Sequence, residues 1–126
     1  MFELKILTHF AAAHQLQMVA KKCENLHGHN WKVEVCVTGD RLNPAGVLID
    51  FGELKAHVKQ IIDTLDHKFL NELNLFPGAP SSENIALYIA EALAKRLSET
   101  DVRVSRVTTW ESEDACATYY PAAAKA

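Results

Sequence analysis

The chain lacks several features that would assign it to a broad class at once. No run of apolar residues is long enough to cross a bilayer as a helix. Residues 1–5 lack the basic-then-apolar order of a secretory signal. Cysteines are few: there are three, an odd number, and they are widely spaced, which favours reduced thiols over a disulfide framework. We therefore expect a cytoplasmic protein without membrane association.

Positive charge is also scarce. The chain carries 13 lysines and arginines against 16 aspartates and glutamates, for a net charge of −3. Binding to a phosphate backbone needs a positive face, so this balance argues against a nucleic-acid partner. With 126 residues, 48% of them hydrophobic, residues 1–126 are expected to form a single domain with a modest core. What the chain does have is histidine, with six in this short length.

The hydrophobic pattern predicts two strand pairs around two helices. Alternation of apolar and polar residues indicates strands, and apolar residues at helical spacing indicate amphipathic helices. The predicted strands cover 2–13, 29–38, 102–111 and 115–120, and the predicted helices cover 53–66 and 82–98. This order, β-β-α-α-β-β, predicts an α+β fold with a mainly antiparallel sheet and the helices on one face.

The most informative segment is the His27-Gly28-His29 sequence at the start of the second strand. Strand side chains two residues apart point to the same face, so both imidazoles can reach one ion. His14, at the end of the preceding strand, is the natural third ligand. Three imidazoles suit Zn²⁺ and leave a fourth position for water or substrate. The alternative is a chance pair of surface histidines.

A second set of candidates comprises Cys23, Asp66 and His67. A cysteine, a histidine and an aspartate together can ionise a thiol and move its proton. The aspartate would orient the imidazole and favour its protonated form. The alternative is that Asp66 and His67 are ordinary polar residues at the end of a helix, where the helix dipole favours a histidine.

Glu111 follows the apolar strand that ends in Trp110. A carboxylate at the end of a sheet can accept two parallel hydrogen bonds from a guanidine-like edge. The 2-amino group and N3–H of a pterin ring form such an edge. The alternative is an exposed glutamate with no role in binding.

Taken together, these segments resemble the 6-pyruvoyl-tetrahydropterin synthase / 6-carboxytetrahydropterin synthase family over nearly the whole chain. The pattern Cys-x-x-x-His-Gly-His, followed at a distance by Asp-His, is the most specific part of the resemblance. The matching pieces are Phe10-Ala11-Ala12-Ala13-His14, Cys23 to Asn30, Leu48 to Lys55, Leu65 to Asn71, Pro80-Ser81-Ser82-Glu83-Asn84 and Trp110-Glu111.

The resemblance implies a fold, an assembly and a set of roles. The fold would be the tunnelling fold, a four-stranded antiparallel sheet with two helices, and two stacked trimers would form a homo-hexamer with active sites between subunits. Zinc would be bound by His14, His27 and His29, and proton transfer would fall to Cys23, Asp66 and His67. Glu111 would anchor the pterin, and the ring pocket would be lined by Ser81, Ser82 and Glu83.

The implied substrate is 7,8-dihydroneopterin triphosphate, with zinc acting as a Lewis acid on its side-chain hydroxyls. The compact chain and Leu26 before His27 favour the 6-carboxytetrahydropterin enzymes of queuosine synthesis. Pyruvoyl-tetrahydropterin formation is the close alternative. Glu24, in a Glu-x-x-His-Gly-His pattern, raises a third outcome, cleavage to a 6-hydroxymethyl pterin for folate synthesis, unless it is only a loop acid. A pterin- or metal-binding module without catalysis is the non-enzymatic alternative.

Overall fold

The fold is described from a computed structural model, which covers residues 1–16 and 26–121 and, for His27, the backbone alone. The described elements are five strands, two α-helices and one short 3-10 turn. In chain order they are β1 (Phe2–His14), β2 (His27–Gly39), α1 (Phe51–Ile62), β3 (Lys68–Phe69), a 3-10 turn (Leu70–Glu72), α2 (Ser82–Arg96), β4 (Arg103–Ser112) and β5 (Ala115–Tyr119).

The strands form one sheet in the order β3-β1-β2-β4-β5. All neighbours are antiparallel except β3, which runs parallel to β1 through the pairs Ala12–Lys68 and Ala13–Phe69. The α+β class and the two helices are therefore confirmed, whereas a four-stranded, purely antiparallel sheet is wrong. A strand of two residues is too short to show alternation in a sequence. It forms here because the peptide N–H of His67 donates to the carbonyl of Ala11 at 2.6 Å and lays the chain beside β1.

Each helix begins at a capping side chain. Asp50 accepts a hydrogen bond from the backbone N–H of Glu53 at 3.1 Å, and Ser81 accepts one from the N–H of Asn84 at 3.1 Å. These caps satisfy N–H groups that have no partner within the helix. The first helix ends earlier than its apolar spacing predicts, because residues 63–66 continue as turns. Leu65 is nevertheless fully buried.

The core lies between the sheet and the helices. On β2 the alternating apolar residues Trp31, Val33, Val35 and Val37 form the inward face, and all four are 0% exposed. They belong to one buried cluster with the apolar residues of both helices, which are Leu54, Val58, Ile61, Ile62, Ile85, Ile89 and Leu93. Alternate residues of β1, including Ile6 and Phe10, join the same cluster. One face of the sheet is thereby covered, and its inward side chains are fixed in place.

No helix in residues 1–16 and 26–121 is both long enough and apolar enough to cross a membrane.

Candidate metal and substrate site

The site is built where β1 ends and β2 begins. In the antiparallel register of these strands, His14 lies opposite His27 and Ala12 lies opposite His29. The pairing brings the two predicted histidine segments to the same end of the sheet. Lys32 of β2 lies opposite Trp110 of β4, so the last residues of β4 lie at this same end of the sheet.

Three side chains meet at this point: His14, His29 and Glu111. The Oε1 atom of Glu111 lies 2.9 Å from Nε2 of His14 and 3.1 Å from Nε2 of His29. Their potential ligand atoms all lie within 4.8 Å of one another. His14 is fully buried, and the His29 side chain is 21% exposed. We call these three residues the His14 cluster; within the described part of the chain, no other group of three such residues converges in this way.

The His14 cluster fits a zinc ion by its chemistry. The Nδ1 atom of His14 lies 2.8 Å from the carbonyl oxygen of Pro80, inside the protein. Since a carbonyl can only accept, Nδ1 donates this hydrogen bond, which in a neutral ring places the lone pair on Nε2, the atom that faces Glu111. Metal-binding histidines usually have such an outer partner, which fixes the tautomer and the ring orientation. Imidazole nitrogens and a carboxylate oxygen are ligands that zinc accepts in a tetrahedral site.

Glu111 lies closer to the predicted metal ligands His14 and His29 than its expected role requires. Its side chain is 35% exposed while one carboxylate oxygen contacts both imidazoles. The carboxylate can therefore face an ion and still be reached from solvent. The strand-end position of Glu111 predicted a binding role, but nothing in its sequence context indicated contact with the histidines.

Asp66 and His67 are brought together as a pair. Asp66 Oδ2 lies 3.1 Å from Nδ1 of His67, and Asp66 Oδ1 accepts a hydrogen bond from the N–H of Ala11 at 2.9 Å. The Ala11 hydrogen bond, with a smaller contribution from the one with His67, lowers the pKa of Asp66. The carboxylate thus stays charged and can hold the Nδ1–H tautomer of the imidazole.

The backbone of His67 is strained, and its side chain faces outward. Its φ angle is +60°, in the left-handed region that residues with a Cβ seldom occupy. Two hydrogen bonds with the backbone of Ala11 hold this conformation: its N–H donates to the Asp66 carboxylate, and its carbonyl accepts from the N–H of His67. The side chain is 82% exposed, which leaves the second ring nitrogen open to a substrate or another chain. Strained residues of this kind concentrate at functional sites.

The predicted pocket residues lie at the start of α2. Ser81 is the cap of that helix. The Ser82 hydroxyl lies 2.6 Å from the hydroxyl of Thr109 and 3.0 Å from its carbonyl, and the Thr109 hydroxyl donates to the Ser82 carbonyl at 2.7 Å. These bonds tie the helix start to β4 two residues before Glu111. Glu83 is exposed in the first turn.

Three contributors to the site were missed by the sequence reasoning. The carbonyl of Pro80 carries no side-chain signal, so only the fold could reveal its contact with His14. Thr109 shares the strand parity of Glu111, which could have indicated a common face. Trp31 lies two residues after His29, and its ring contacts both histidines of the His14 cluster.

Part of the predicted site lies outside the described residues. This applies to Cys23 and Glu24, and the side chain of His27 is not described either. The zinc role of His27 and the proton-transfer role of Cys23 therefore stay predictions.

Comparison with known proteins shows which family the chain resembles. Residues 3–122 match the family described as 6-pyruvoyl tetrahydropterin synthase. A protein of Archaeoglobus fulgidus, provisionally named 6-carboxy-5,6,7,8-tetrahydropterin synthase, is 41% identical over 109 residues, covering 86% of this chain and 87% of its own. The dihydroneopterin monophosphate aldolase of Pyrococcus furiosus is 37% identical over 105 residues, covering 83% and 85%.

A solved structure extends the likeness to three dimensions. The 6-pyruvoyl tetrahydropterin synthase of Caenorhabditis elegans superposes with a TM-score of 0.82 at 27% identity, covering 96% of each chain. The match thus spans the strands that carry the His14 cluster as well as the segment of Asp66 and His67. On sequence and architecture alike, the chain belongs to the 6-pyruvoyl tetrahydropterin synthase family.

Proposed function

We propose that this protein converts 7,8-dihydroneopterin triphosphate to 6-carboxy-5,6,7,8-tetrahydropterin, with release of acetaldehyde and triphosphate. The observation that carries the proposal is the His14 cluster, in which two imidazoles and a carboxylate converge within 4.8 Å in a chain of this family. The name of the Archaeoglobus fulgidus relative supports the choice of product. In the proposed reaction water is consumed and the electrons are redistributed within the substrate, so no redox cofactor is needed.

Zinc would be held by His14, His29 and His27. A bound zinc ion supplies a Lewis acid that lowers the pKa of the hydroxyls of the substrate side chain. The Pro80 carbonyl supports this role, because it keeps the Nε2 lone pair of His14 available. Glu111 lies close enough to the imidazoles to bind a substrate next to the metal ligands.

Proton transfer would fall to His67 and Cys23. Asp66, kept charged by the N–H of Ala11, would orient the His67 ring and stabilise its protonated form. Cys23, as thiolate, would take a proton from the substrate side chain, and His67 would exchange protons at the neighbouring position. The geometry of the aspartate–histidine pair supports the role of His67. Its Nδ1 atom is 3.1 Å from Asp66, so Nε2 is left to exchange a proton with a substrate.

The pterin ring would lie between Glu111 and the start of α2. The Glu111 carboxylate can accept hydrogen bonds from the 2-amino group and N3–H of the ring. The bonds between Ser82 and Thr109 hold the helix start beside the strand that carries Glu111. Ser81, Ser82 and Glu83 would line the other side of the ring.

A complete site is proposed to need more than one subunit. Catalytic proton transfer works best where water is excluded, yet the His67 side chain is 82% exposed in the single chain. A neighbouring copy of the chain that covered His67 would exclude water from this side chain. We propose a homo-hexamer made of two trimers, with each active site at a subunit boundary.

Two other outcomes of the same chemistry have specific support. The Pyrococcus furiosus relative is named as an aldolase acting on dihydroneopterin monophosphate, and Glu24 beside Cys23 is compatible with such a cleavage. The Caenorhabditis elegans structure is a 6-pyruvoyl tetrahydropterin synthase, which would correspond to elimination of triphosphate without loss of acetaldehyde.

One experiment separates these outcomes. Zinc-loaded protein is incubated with 7,8-dihydroneopterin triphosphate and, in parallel, with the monophosphate, and products are identified by mass. Carboxy-tetrahydropterin together with acetaldehyde is the expected result. A pyruvoyl-pterin or a 6-hydroxymethyl pterin would replace the proposal by the corresponding alternative. No turnover of either substrate would leave a binding module. The Cys23→Ala variant should retain zinc but form no product.

A further inference from the structure

Three aromatic rings meet inside the protein beside the predicted metal position. The ring centroids of His14 and His29 lie 5.0 Å apart, and those of His14 and His29 lie 5.2 and 5.3 Å from Trp31. The planes of the three pairs cross at 78°, 84° and 77°. Each ring therefore presents an edge to the face of another, which is a favoured arrangement of aromatic pairs.

Trp31 is itself held rigidly. It is 0% exposed, and its ring stacks on Phe10 with centroids 5.8 Å apart and planes only 4° from parallel. Phe10 lies on β1 opposite Trp31 on β2, so the stack bridges the two strands that carry the histidines. Because the indole is buried and stacked, its contacts with both imidazoles limit their rotation about the side-chain bonds.

The polar atom of Trp31 indicates that its shape matters more than its hydrogen bonding. The indole Nε1 is buried and has no hydrogen-bond partner among the described residues. Burying a donor in this way costs free energy, and a phenylalanine at this position would avoid that cost. A large ring that contacts both imidazoles provides a reason for the tryptophan.

We infer that Trp31 is a positioning residue for metal binding, which orients the His14 and His29 rings together so that both Nε2 atoms face one ion. The inference rests on the proposed function in one respect, since it assumes that the His14 cluster binds zinc. Trp31 touches neither the metal nor the substrate in this role. It acts through the two imidazoles.

The test compares three variants: Trp31→Leu, Trp31→Phe and the matched control Trp110→Phe. Trp110 is the only other tryptophan of the chain, and its ring contacts Lys32, whose Nζ lies 5.3 Å from the centroid. Zinc affinity is measured by competition with a chromogenic chelator, and the ligand geometry is followed by the visible absorption of the Co²⁺-loaded proteins. Circular dichroism and thermal unfolding of the metal-free proteins establish that each is folded.

The expected result is a selective effect of Trp31 on the metal. Trp31→Leu should weaken zinc binding about 10-fold or more, as loss of outer partners of a metal ligand does, and should change the Co²⁺ spectrum. Trp31→Phe, whose smaller ring keeps only part of the contact, should fall between Trp31→Leu and the wild type in both properties, while Trp110→Phe should match the wild type. A Trp31→Leu protein with the zinc affinity and Co²⁺ spectrum of Trp110→Phe would overturn the inference.

Fluorescence gives a test that does not depend on the folding of Trp31→Leu. In Trp110→Phe the sole indole is Trp31, so zinc should change its emission and the change should saturate at one equivalent per site. If zinc leaves the emission of Trp31 unchanged, the inference that Trp31 orients the zinc ligands is wrong. If the wild type binds zinc through a Trp31-dependent site but forms no product, the proposed function fails and the positioning role stands. If the wild type forms product while Trp31→Leu binds zinc normally, the positioning role of Trp31 fails and the proposed function stands.

Discussion

At the scale of single residues, strand parity separates histidines with different roles. His9 and His14 both lie on β1, five positions apart and therefore on opposite faces. His9 is exposed and His14 is fully buried in contact with Glu111. The alternation of apolar residues along β1 therefore distinguishes the candidate ligand from a surface histidine.

The His29→Ala variant should lose zinc. Since His29 provides an Nε2 atom to the His14 cluster, we expect zinc affinity to fall at least about 10-fold and product formation to fall with it. Metal content after dialysis against a weak chelator measures the effect. His9→Ala is the control, because this exposed histidine lies outside the His14 cluster, and it should retain zinc. Equal zinc content in the two variants would remove His29 from the ligand set.

The Glu111→Gln variant should retain zinc but bind substrate poorly. A glutamine has the same shape but offers a single neutral acceptor, so the charge-assisted pair with the pterin edge is lost. We expect kcat/KM to fall about 100-fold or more, in line with a loss of about 3 kcal/mol. Glu113→Gln, at an exposed position nearby, should behave as wild type. Loss of zinc in Glu111→Gln would instead make this carboxylate a metal ligand.

At the scale of elements, the helix starts and the short third strand position the site. The cap of α2 lies one residue after Pro80, whose carbonyl accepts from His14. Sequence reasoning predicts this helix start well, because a serine cap is a local signal. The same reasoning misses β3, because two residues show no periodicity and their pairing with β1 depends on contacts with Ala11.

The Ser81→Ala variant should lower the free energy of unfolding by about 1 kcal/mol, since it removes the acceptor for the N–H of Asn84. Denaturant unfolding of the metal-free protein measures the effect. Ser81→Asp, which keeps an acceptor and adds a negative charge near the helix N-terminus, should remain as stable as the wild type. Equal destabilisation by both substitutions would show that the hydroxyl acts otherwise than as a cap.

Asp66 should stabilise the fold in a pH-dependent way. The Ala11 hydrogen bond, and then His67, lower its pKa in the folded state. Its contribution is therefore complete above the pKa of an unfolded aspartate, about 3.9, and is lost as the pH falls through the lowered value. We expect the difference in Tm between wild type and Asp66→Asn to be present at about pH 5 and to shrink progressively as the pH falls further.

Unfolding followed by circular dichroism without metal measures this difference. Asp101→Asn, at an exposed position, is the comparison and should show a smaller effect at every pH. A difference for Asp66→Asn that grows as the solution is acidified below about pH 4 would contradict the assignment, because protonation of the carboxylate removes the charge that the Ala11 N–H stabilises.

At the scale of the whole molecule, the sheet has open edges and the His67 side chain is exposed. Among the described residues, β3 covers β1 only at Ala12 and Ala13, so the outer edge of β1 from Phe2 to Phe10 has no strand beside it. Exposed edges invite pairing with another chain. The proposed hexamer would cover these edges and His67 together.

Sedimentation analysis should find a species of six chains, each of 14.0 kDa. Leu7 lies on the open edge of β1 and is 52% exposed, so a substitution there should disrupt an interface formed at this edge. We expect Leu7→Lys to shift the protein toward smaller species, because a buried unpaired charge disfavours an interface. A comparable lysine at Leu75, which lies on no strand and is 37% exposed, should leave the assembly intact. A wild-type protein that stays monomeric at micromolar concentration would refute the hexamer.

The sequence by itself determined the local structure and the face on which most candidate residues lie. Alternation along β1 and β2 and the serine cap of α2 depend on neighbours a few positions apart, so a linear reading is sufficient for them. The α+β class and the two helices followed from those patterns and are confirmed. The family was indicated by the resemblance of specific motifs, such as Cys-x-x-x-His-Gly-His, and it is confirmed as well.

Only the tertiary structure decided which side chains meet. The contact of His14 with the Pro80 carbonyl joins positions 66 residues apart, and the approach of Glu111 to both imidazoles depends on the pairing of β2 with β1 and with β4. The contacts of both imidazoles with Trp31 also depend on the pairing of β1 with β2. Such contacts follow from strand register and from the packing of a shared core, which are properties of the whole chain that no local pattern encodes.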